Sequence, residues 1–198
     1  MARGDIIYPP SMGRWQPDAA LRLQQAALSL YAERGFDATT VAEIAERAGL
    51  TKRTFFRYFT DKREVLFMGA DELRALVTDA TAAAPASATP IEAVAAGLNA
   101  AGVMFAQRHD FARQRHAIIA ANPELHEREL IKLSSMAESI AGALRGRGVP
   151  DPAAILAAQT GMTVFHVAFA RWVDQPDPNA LPRLIEESLD EVRALTAA

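Results

Sequence analysis

The sequence predicts an all-α protein of about nine helices. Several segments begin with a helix-capping residue followed by proline, as in Thr89-Pro90 and Asn122-Pro123. This order is favoured because the first helical amide needs no partner within the helix. Runs of β-branched residues with period-2 alternation, which would indicate strands, do not occur. Half of the 198 residues are hydrophobic, so the chain can bury a core and is neither disordered nor fibrous.

The individual helices are placed by these caps and by the apolar periodicity between them. They are predicted over residues 17–34, 40–48, 51–58, 61–84, 90–109, 111–120, 123–146, 151–174 and 178–196. Three starts carry a glutamate three residues after the cap, at Glu43, Glu64 and Glu92, where the carboxylate can bond back to the cap amide. The last two helices begin at the Asp-Pro pairs of Asp151 and Asp177.

The composition and the apolar pattern predict a soluble cytoplasmic protein with no membrane partner. Cysteine is absent, which excludes disulfide bonds and thiolate metal sites. Residues 1–20 contain no apolar run of the kind that marks a signal peptide. Later apolar stretches, such as residues 162–170, are expected to be too short or too interrupted to span a membrane.

Charge is distributed unevenly along the chain. Residues 1–66 contain ten Lys/Arg and eight Asp/Glu, and the remaining residues contain eleven and sixteen, so the two parts carry formal charges of +2 and −5. Between Arg47 and Arg63 there are six cations and a single acid, Asp61. A local basic cluster on an acidic body is typical of a surface that grips phosphate at one place.

Two short predicted helices meet at Ala48-Gly49-Leu50, and this spacing is that of a helix-turn-helix. Gly49 can adopt the left-handed backbone that a tight turn requires, and Thr51 can cap the helix that follows. Apolar residues repeat on one face of each helix and are predicted to form a small core. They are Val41, Ile44, Ala45, Ala48, Phe55 and Phe59.

The residues left outside that core on the second short helix are polar, cationic and aromatic. They are Thr51, Lys52, Arg53, Thr54, Phe56, Arg57 and Tyr58. Arginine and lysine suit guanine edges or phosphates, threonine suits phosphate or base, and an exposed aromatic ring suits thymine methyls. Thr40 and Lys62 start the flanking helices and are predicted to hold backbone phosphates. A solvated helix is the alternative, but the exposed aromatic residues favour contact with double-stranded DNA.

The segment from Gly35 to Phe67, GFDATTVAEIAERAGLTKRTFFRYFTDKREVLF, resembles the DNA-binding region of the TetR family of regulators. The resemblance covers these 33 residues closely, and the predicted helix before them fits as their support. Residues 68–198 are similar to the family only in helical layout. The resemblance implies a homodimer, a palindromic operator, and repression that is relieved by a small-molecule effector.

By position, the resemblance places DNA contacts on seven residues of the motif. They are Thr40, Thr51, Lys52, Thr54, Phe56, Tyr58 and Lys62. The sequence departs from the family at two positions, because many relatives have glycine where Arg53 stands and tyrosine where Phe56 stands. This chain therefore gains a long cation and loses a hydroxyl, and the operator contacts of relatives do not transfer to it directly.

Three regions are predicted: a flexible N-terminal arm (1–16), a three-helix helix-turn-helix DNA-binding domain (17–60) and a larger helical ligand-binding and dimerisation domain (61–198). Arg14 of the arm is predicted to reach a minor groove. The last two helices are predicted to pair with those of a second subunit. The last carries an apolar stripe at Leu181, Leu184, Ile185, Ser188, Leu189, Val192 and Leu195. The helix before it carries small residues at Ala154, Ala157, Ala158, Gly161 and Ala168.

Aromatic, methionine and histidine residues spaced along the middle helices predict a pocket for an apolar or aromatic ligand. The predicted lining is Phe105, Phe111, His116, Met162, Phe165, His166 and Phe169. An ordinary core is the alternative explanation for each of them. His116 and His166 are the candidate polar anchors.

Catalytic motifs are not found in the sequence. It contains no glycine-rich phosphate loop, nucleophile elbow or His-Glu-x-x-His zinc helix. His126 and Glu129 share a helix, but their spacing is unrepeated and is the reverse of the Glu-x-x-His of di-metal bundles. The sequence therefore predicts no catalytic residue, metal or cofactor. The alternatives are a helical ligand-binding or metal-dependent enzyme that no longer uses its DNA-binding motif, and an activator or ligand-independent repressor.

Overall fold

The computed structural model describes residues 18–197, and within that range the chain forms nine α-helices, one 3-10 turn and no strands. The helices are α1 (Asp18–Arg34), α2 (Val41–Arg47), α3 (Lys52–Tyr58), α4 (Ala70–Ala82), α5 (Pro90–Ala106), α6 (His109–Ala120), α7 (Pro123–Gly146), α8 (Asp151–Val173) and α9 (Leu181–Thr196). The 3-10 turn (the linker turn, Glu64–Phe67) lies between α3 and α4. The all-α prediction is confirmed. The predicted arm of residues 1–16, with Arg14, lies outside the described residues.

Two of the three predicted capping boxes are present. The Thr40 hydroxyl accepts a hydrogen bond from the Glu43 amide at 3.3 Å, and the Glu43 carboxylate accepts one from the Thr40 amide at 2.9 Å. The same exchange between Thr89 and Glu92 begins α5. These boxes satisfy amides that the first turn leaves without helical partners.

The predicted helix over 61–84 is interrupted, and the third capping box does not form. An Asp61 carboxylate oxygen accepts from the Glu64 amide at 3.2 Å, but the Glu64 carboxylate pairs with Arg128 at 2.7 Å instead of returning to the cap. Gly69, with φ +87°, then redirects the chain before α4 begins. The segment between α3 and α4 is therefore the linker turn followed by a glycine bend.

The ninth helix begins at Leu181, not at residue 178 as predicted. An Asp177 carboxylate oxygen accepts from the Asn179 amide at 2.9 Å, which makes a local turn. The indole nitrogen of Trp172 donates to the Pro178 carbonyl at 3.0 Å and fixes that turn against α8. Asp177 and Pro178, which the sequence predicts to begin the helix, therefore form the turn before it.

The first of two hydrophobic cores joins α1, α2, α3 and the linker turn. Its largest fully buried side chains from these elements are Leu23, Leu30, Ile44, Phe55 and Leu66. Ile118 and Ile119 of α6 and Leu125 of α7 also belong to this core. The N-terminal helices are thus packed onto the rest of the protein through α6 and the start of α7.

The second core lies among α4, α5, α7, α8 and α9. Its largest fully buried side chains are Trp172, Leu98, Ile140, Leu144 and Leu181. α8 packs against α5, α7 and α9 within it. Gly161 of α8 lets Val94 of α5 approach so closely that a Cβ at position 161 would collide with the valine side chain.

The small residues of α8 and most of the apolar stripe of α9 face this core within one subunit. The expectation that α8 and α9 pair with the same helices of a second subunit stays a prediction. Buried small residues of α8 are Ala154, Ala158, Gly161 and Ala168. Buried members of the α9 stripe are Leu181, Leu184, Ile185, Ser188 and Leu189. Leu195, in contrast, is 85% exposed.

α8 is long and apolar enough to cross a membrane when judged by length and composition alone. The expectation that no such stretch exists is therefore wrong on that criterion. One helix of this kind is weak support for a membrane span, because the core helix of a soluble protein passes the same test. Part of α8, including Ala158, Phe165 and Trp172, is buried in the second core.

Candidate functional site

The turn between α2 and α3 is held by several independent contacts. Gly49 has φ +66°, as predicted for this position, and the Leu50 amide donates to the Ala45 carbonyl at 2.8 Å. The Arg22 guanidinium donates to the Ala48 carbonyl, which ties α1 to the end of α2. The Thr51 hydroxyl accepts from the Thr54 amide at 3.1 Å and caps α3. These contacts fix the orientation of α3 relative to α1 and α2.

α3 presents the outward face that its sequence predicts. Phe55 and Phe59 are buried, whereas Phe56 is 57% exposed. Thr51, Lys52, Arg53 and Arg57 are exposed, and Thr54 and Tyr58 are half-buried. Arg57 donates to the Tyr58 hydroxyl at 3.1 Å and lies over that ring at 5.0 Å. The helix therefore carries a cationic and aromatic surface.

The basic cluster around α3 is partly neutralised, whereas the cations of α3 make no ion pair within residues 18–197. Arg47 pairs with both carboxylate oxygens of Glu33 at 2.8 and 2.9 Å, and this guanidinium lowers the pKa of Glu33 to about 2. Arg63 pairs with Asp61 and Glu124. Among residues 18–197, Lys52 and Arg53 make no ion pair, so their charges are available to a ligand.

Thr40 and Lys62 differ in how they meet the predicted phosphate role. Thr40 is exposed at the N-terminus of α2. The Lys62 ammonium instead donates to the carbonyls of Phe36 at 2.8 Å and Thr39 at 3.0 Å, and it lies 4.3 Å from the centroid of the Phe36 ring. A phosphate at Lys62 would compete with these bonds, and its predicted phosphate contact stays a prediction.

A cavity of about 440 Å³ lies among α4, α5, α6, α7 and α8, with the linker turn at one side. Six of the seven predicted pocket residues line it, namely Phe105, Phe111, His116, Phe165, His166 and Phe169. Met162 does not line it, because its side chain is buried in the second core. Met104, Leu133 and Met136 add to the apolar wall.

The aromatic side chains of the cavity form one connected cluster. Phe169 lies 5.4 Å from Phe105, 5.6 Å from Phe165 and 5.8 Å from His116, measured between ring centroids. Its planes are inclined to those of Phe105 and His116 at 68°, the edge-to-face arrangement that aromatic rings prefer. One end of the cavity is therefore lined by packed aromatic rings.

Sequence reasoning missed the charged side of the cavity. Its cations are Arg74, Arg108, Arg115 and Lys132, and its acids are Asp71, Glu72 and Glu129. Arg108, Phe111 and Arg115 recur at spacings of three and four residues, which places them on one side of a helical segment. That spacing predicts a shared face, but it does not show that this face lines a cavity until the packing of α6 is known.

Side chains of the cavity wall also hold the linker turn. The Arg115 guanidinium donates from Nε to the Leu66 carbonyl at 2.7 Å and from Nη1 to Glu129 at 2.8 Å. Lys132 lies 3.4 Å from a carboxylate oxygen of Glu64. The cavity and the segment that follows α3 therefore share the same polar contacts.

Comparison with known proteins identifies the class of this fold. A family model described as bacterial regulatory proteins, tetR family, matches residues 23–67, and a model of the MftR C-terminal domain matches residues 88–197. The second match covers more than half of the chain. This chain belongs to the TetR family of bacterial regulatory proteins. The family resemblance expected from residues 35–67 is thus confirmed, and the helix-turn-helix of α2 and α3 lies within the segment that matches the family model.

A curated relative of this TetR-family chain is the HTH-type transcriptional regulator TcmR of Streptomyces glaucescens. The two are 33% identical over 79 residues, which are 40% of this chain and 35% of TcmR. The chain therefore matches about a third of the length of that relative.

Solved structures share the fold of this TetR-family chain over nearly its whole length. SmeT, the repressor of the Stenotrophomonas maltophilia multidrug efflux pump SmeDEF, is 18% identical with a TM-score of 0.60, over 89% of each chain. FadR of Thermus thermophilus, a repressor solved in complex with lauroyl-CoA, is 24% identical with a TM-score of 0.55, over 90% of this chain and 95% of its own. At these identities the likeness shows the fold.

Proposed function

We propose that this protein is a homodimeric repressor that binds a palindromic DNA operator through α3 and is released by a small, largely apolar effector. The observation that carries the proposal is the exposed face of α3, where Lys52 and Arg53 have no acidic partner among the described residues and Phe56 is 57% exposed. We assign residues 17–60 to DNA binding and residues 61–198 to ligand binding and dimerisation. The proposal needs no catalytic residue, metal or cofactor, and it places the protein in the cytoplasm.

In this proposal α3 enters the major groove of the operator. Arg53 reads a base edge, Phe56 contacts thymine methyls or sugars, and Lys52 and Arg57 meet phosphates. Thr40, Thr51, Thr54, Tyr58 and Lys62 complete the set of proposed DNA contacts. Two such helices in a dimer must lie about one turn of DNA apart, roughly 34–36 Å, or somewhat more.

Dimerisation is proposed on the outward face of α8 and the end of α9. Leu156 is 68% exposed, and Ile155 and Val167 on the same helix are 42% and 40% exposed. Leu195 of α9 is 85% exposed. Large apolar side chains grouped on a surface are typical of protein interfaces, so these residues replace the small buried ones as the proposed contact with a second subunit.

The cavity of about 440 Å³ is proposed as the effector site, lined by Phe105, Phe111, His116, Phe165, His166 and Phe169. Its volume lies within the range of about 300–1,000 Å³ that small-molecule sites occupy. Because Leu66 and Gly69 also line it, an effector that widens the cavity displaces the linker turn and hence α3. This is a shift of populations, and the effector must bind the DNA-incompetent state more tightly. SmeT and FadR, both named as repressors, support repression as the direction of control.

The test is a gel-mobility assay with DNA fragments that flank the gene for this protein, repeated over a range of salt concentrations. The same assay is run on a variant with Lys52 and Arg53 changed to alanine. Both residues are exposed and make no ion pair within residues 18–197, so the variant should keep its fold. We expect tight binding that falls steeply with salt, a palindromic footprint, and loss of the shift in the variant. If the folded dimer binds neither these fragments nor any sequence selected from random DNA, the proposed function is wrong.

A further inference from the structure

Three of the four cations in the cavity wall already have an acidic partner. Arg74 pairs with Asp71 at 2.9 Å, and Arg115 pairs with Glu129 at 2.8 Å. Lys132 lies 3.4 Å from Glu64. These pairs compensate the positive charges locally, so a ligand gains little by approaching them.

Arg108 is the exception. It immediately precedes α6, it lines the cavity, and its side chain makes no ion pair with any acid in residues 18–197. Its guanidinium lies 4.8 Å from the centroid of the Phe111 ring, and Nη2 donates to the amide oxygen of Gln24 at 3.3 Å. The positive charge of Arg108 is therefore held beside the cavity by an aromatic ring and one long hydrogen bond to a neutral group.

A carboxylate would be a stronger partner for Arg108 than the Gln24 amide. A carboxylate adds the attraction of opposite charges, and the planar guanidinium can hold both of its oxygens with two parallel bonds. Arg108 is also exposed, so pairing it with an anion does not require a deeply buried charge. Glu72 on α4 also lines the cavity and makes no ion pair among the described residues, and no ion pair joins it to Arg108.

The apolar end of the cavity completes the match. Phe105, Phe165 and Phe169 form the aromatic cluster on α5 and α8, and Phe105 lies three residues before Arg108 in the sequence. A molecule that follows the wall from this cluster to Arg108 meets an apolar surface first and an unpaired cation at its end.

We propose that the effector is an amphipathic anion, with an apolar body on Phe105, Phe165 and Phe169 and a single carboxylate on Arg108, and that Arg108 determines this specificity. The inference rests on the proposed function in that it takes the cavity to be the effector site. It deepens that function by naming the chemical class of the effector and the residue that selects it.

The experiment is calorimetric titration of the full-length dimer with three probes that share a ten-carbon chain and differ in the head group. The probes are decanoate, decanol and decylammonium, each kept below the concentration at which it forms micelles. The three probes have the same flexible apolar chain, so differences in affinity report the contribution of the head group. We expect decanoate to bind at least about tenfold more tightly than either of the others, the size expected for a hydrogen bond to a charged group.

Variants assign the preference to one side chain. Arg108→Met is expected to bind decanoate no more tightly than decanol, with the affinity for decanol unchanged, and Arg108→Lys is expected to keep part of the preference. Arg113→Met is the matched control, because Arg113 lies on the exposed side of α6 near Asp110 and does not line the cavity. Circular dichroism confirms that each variant is folded.

Three results would overturn the inference: equal binding of decanol and decanoate, a preference that survives in Arg108→Met, or no binding of any probe. Operator binding measured on the same preparations separates this failure from failure of the proposed function. An intact operator shift with no carboxylate preference rejects only the effector class. Selective decanoate binding by a protein that binds no DNA sequence supports the ligand site and rejects the repressor.

Discussion

Arg115 donates a hydrogen bond from Nε to the main-chain carbonyl of Leu66 at 2.7 Å. Its other arm pairs with Glu129 at 2.8 Å, and both charged side chains are only 20% exposed. The guanidinium also lies 5.1 Å from the centroid of the Phe67 ring. One side chain therefore joins the linker turn, the cavity wall and α7.

Replacing Arg115 tests how much this junction stabilises the fold. Arg115→Met leaves the Leu66 carbonyl and the Glu129 carboxylate without their donor, so we expect the free energy of unfolding to fall by about 1–3 kcal/mol. Urea denaturation followed by circular dichroism measures the change. Arg113→Met, on the exposed side of the same helix, is expected to stay within about 0.5 kcal/mol of the unmodified protein. Equal effects of the two substitutions would contradict the prediction.

The proposed contact between Arg53 and a base edge can be tested by substitution. Arg53→Ala is expected to lower operator affinity by about 1–3 kcal/mol and to relax the preference at one base pair of each half-site. Fluorescence anisotropy with the operator and its single-base variants measures both quantities. Arg183→Ala, an exposed cation of α9, is the control and should change neither. A mutant that binds weakly but keeps the full base preference would show that Arg53 contacts only phosphate.

Lys62 is expected to contribute both to the fold and to DNA binding. Its ammonium bonds to the Phe36 and Thr39 carbonyls, so Lys62→Met should lower the free energy of unfolding by about 1–3 kcal/mol. The slope of log affinity against log salt should also fall by about 0.9, because the proposed phosphate contact is lost. Lys52→Met should reduce the slope by about the same amount with stability unchanged. An unchanged slope in Lys62→Met would show that its ammonium acts only on the fold.

Gly97 tests the close crossing of α4 and α5. A Cβ there would lie 2.6 Å from the Val77 carbonyl oxygen and would also collide with the Thr81 hydroxyl. Gly97→Ala should therefore destabilise the protein by about 1–3 kcal/mol. Gly142→Ala on α7 meets open space and should stabilise it by about 0.5–1 kcal/mol, because alanine loses less backbone entropy in a helix. Thermal and urea unfolding should both show that the two substitutions change stability in opposite directions. If both substitutions change stability in the same direction, the crossing geometry is refuted.

Asp61 makes the stability of the fold depend on pH. The Arg63 side chain, aided by the backbone amides of Arg63 and Glu64, holds the pKa of Asp61 below its ordinary value of 3.8. Because this pKa is lower in the folded protein, the stabilisation is complete above the unfolded value and is lost as the pH falls through the folded value. Stability should decline on acidification below about pH 4, and Asp61→Asn should decline less steeply. Urea midpoints across this range measure the difference, with Asp79→Asn as an exposed control, and parallel curves would contradict the assignment.

Features that depend on neighbours in sequence were predictable. The outward face of α3 follows from Phe55 and Phe59, because two buried residues four apart fix the rotation of a short helix. The capping box of Thr40 with Glu43 needs only residues within one turn. The aromatic cavity lining was also within reach, because residues of one helix face recur at the helical period.

Features that depend on distant partners were not predictable from one sequence. Glu64 has the position of a capping glutamate, but Arg128 is 64 residues away and binds it more favourably. Gly161 indicates close helix contact without saying which helix, and the structure assigns that contact to Val94 of the same chain. Lys62 has the sequence position of a phosphate ligand, and only the fold brings the Phe36 carbonyl to it.

The helix α6 belongs to both cores at once. Ile118 and Ile119 pack with the N-terminal helices, while Ala112 lies in the second core and His116 lines the cavity. A hybrid protein made by joining residues 1–67 to the sensor of another regulator would therefore expose an apolar surface for which the foreign α6 has no matching shape. Recombination of such proteins, in the laboratory or in genomes, should succeed where α6 is kept together with its own N-terminal helices α1, α2 and α3.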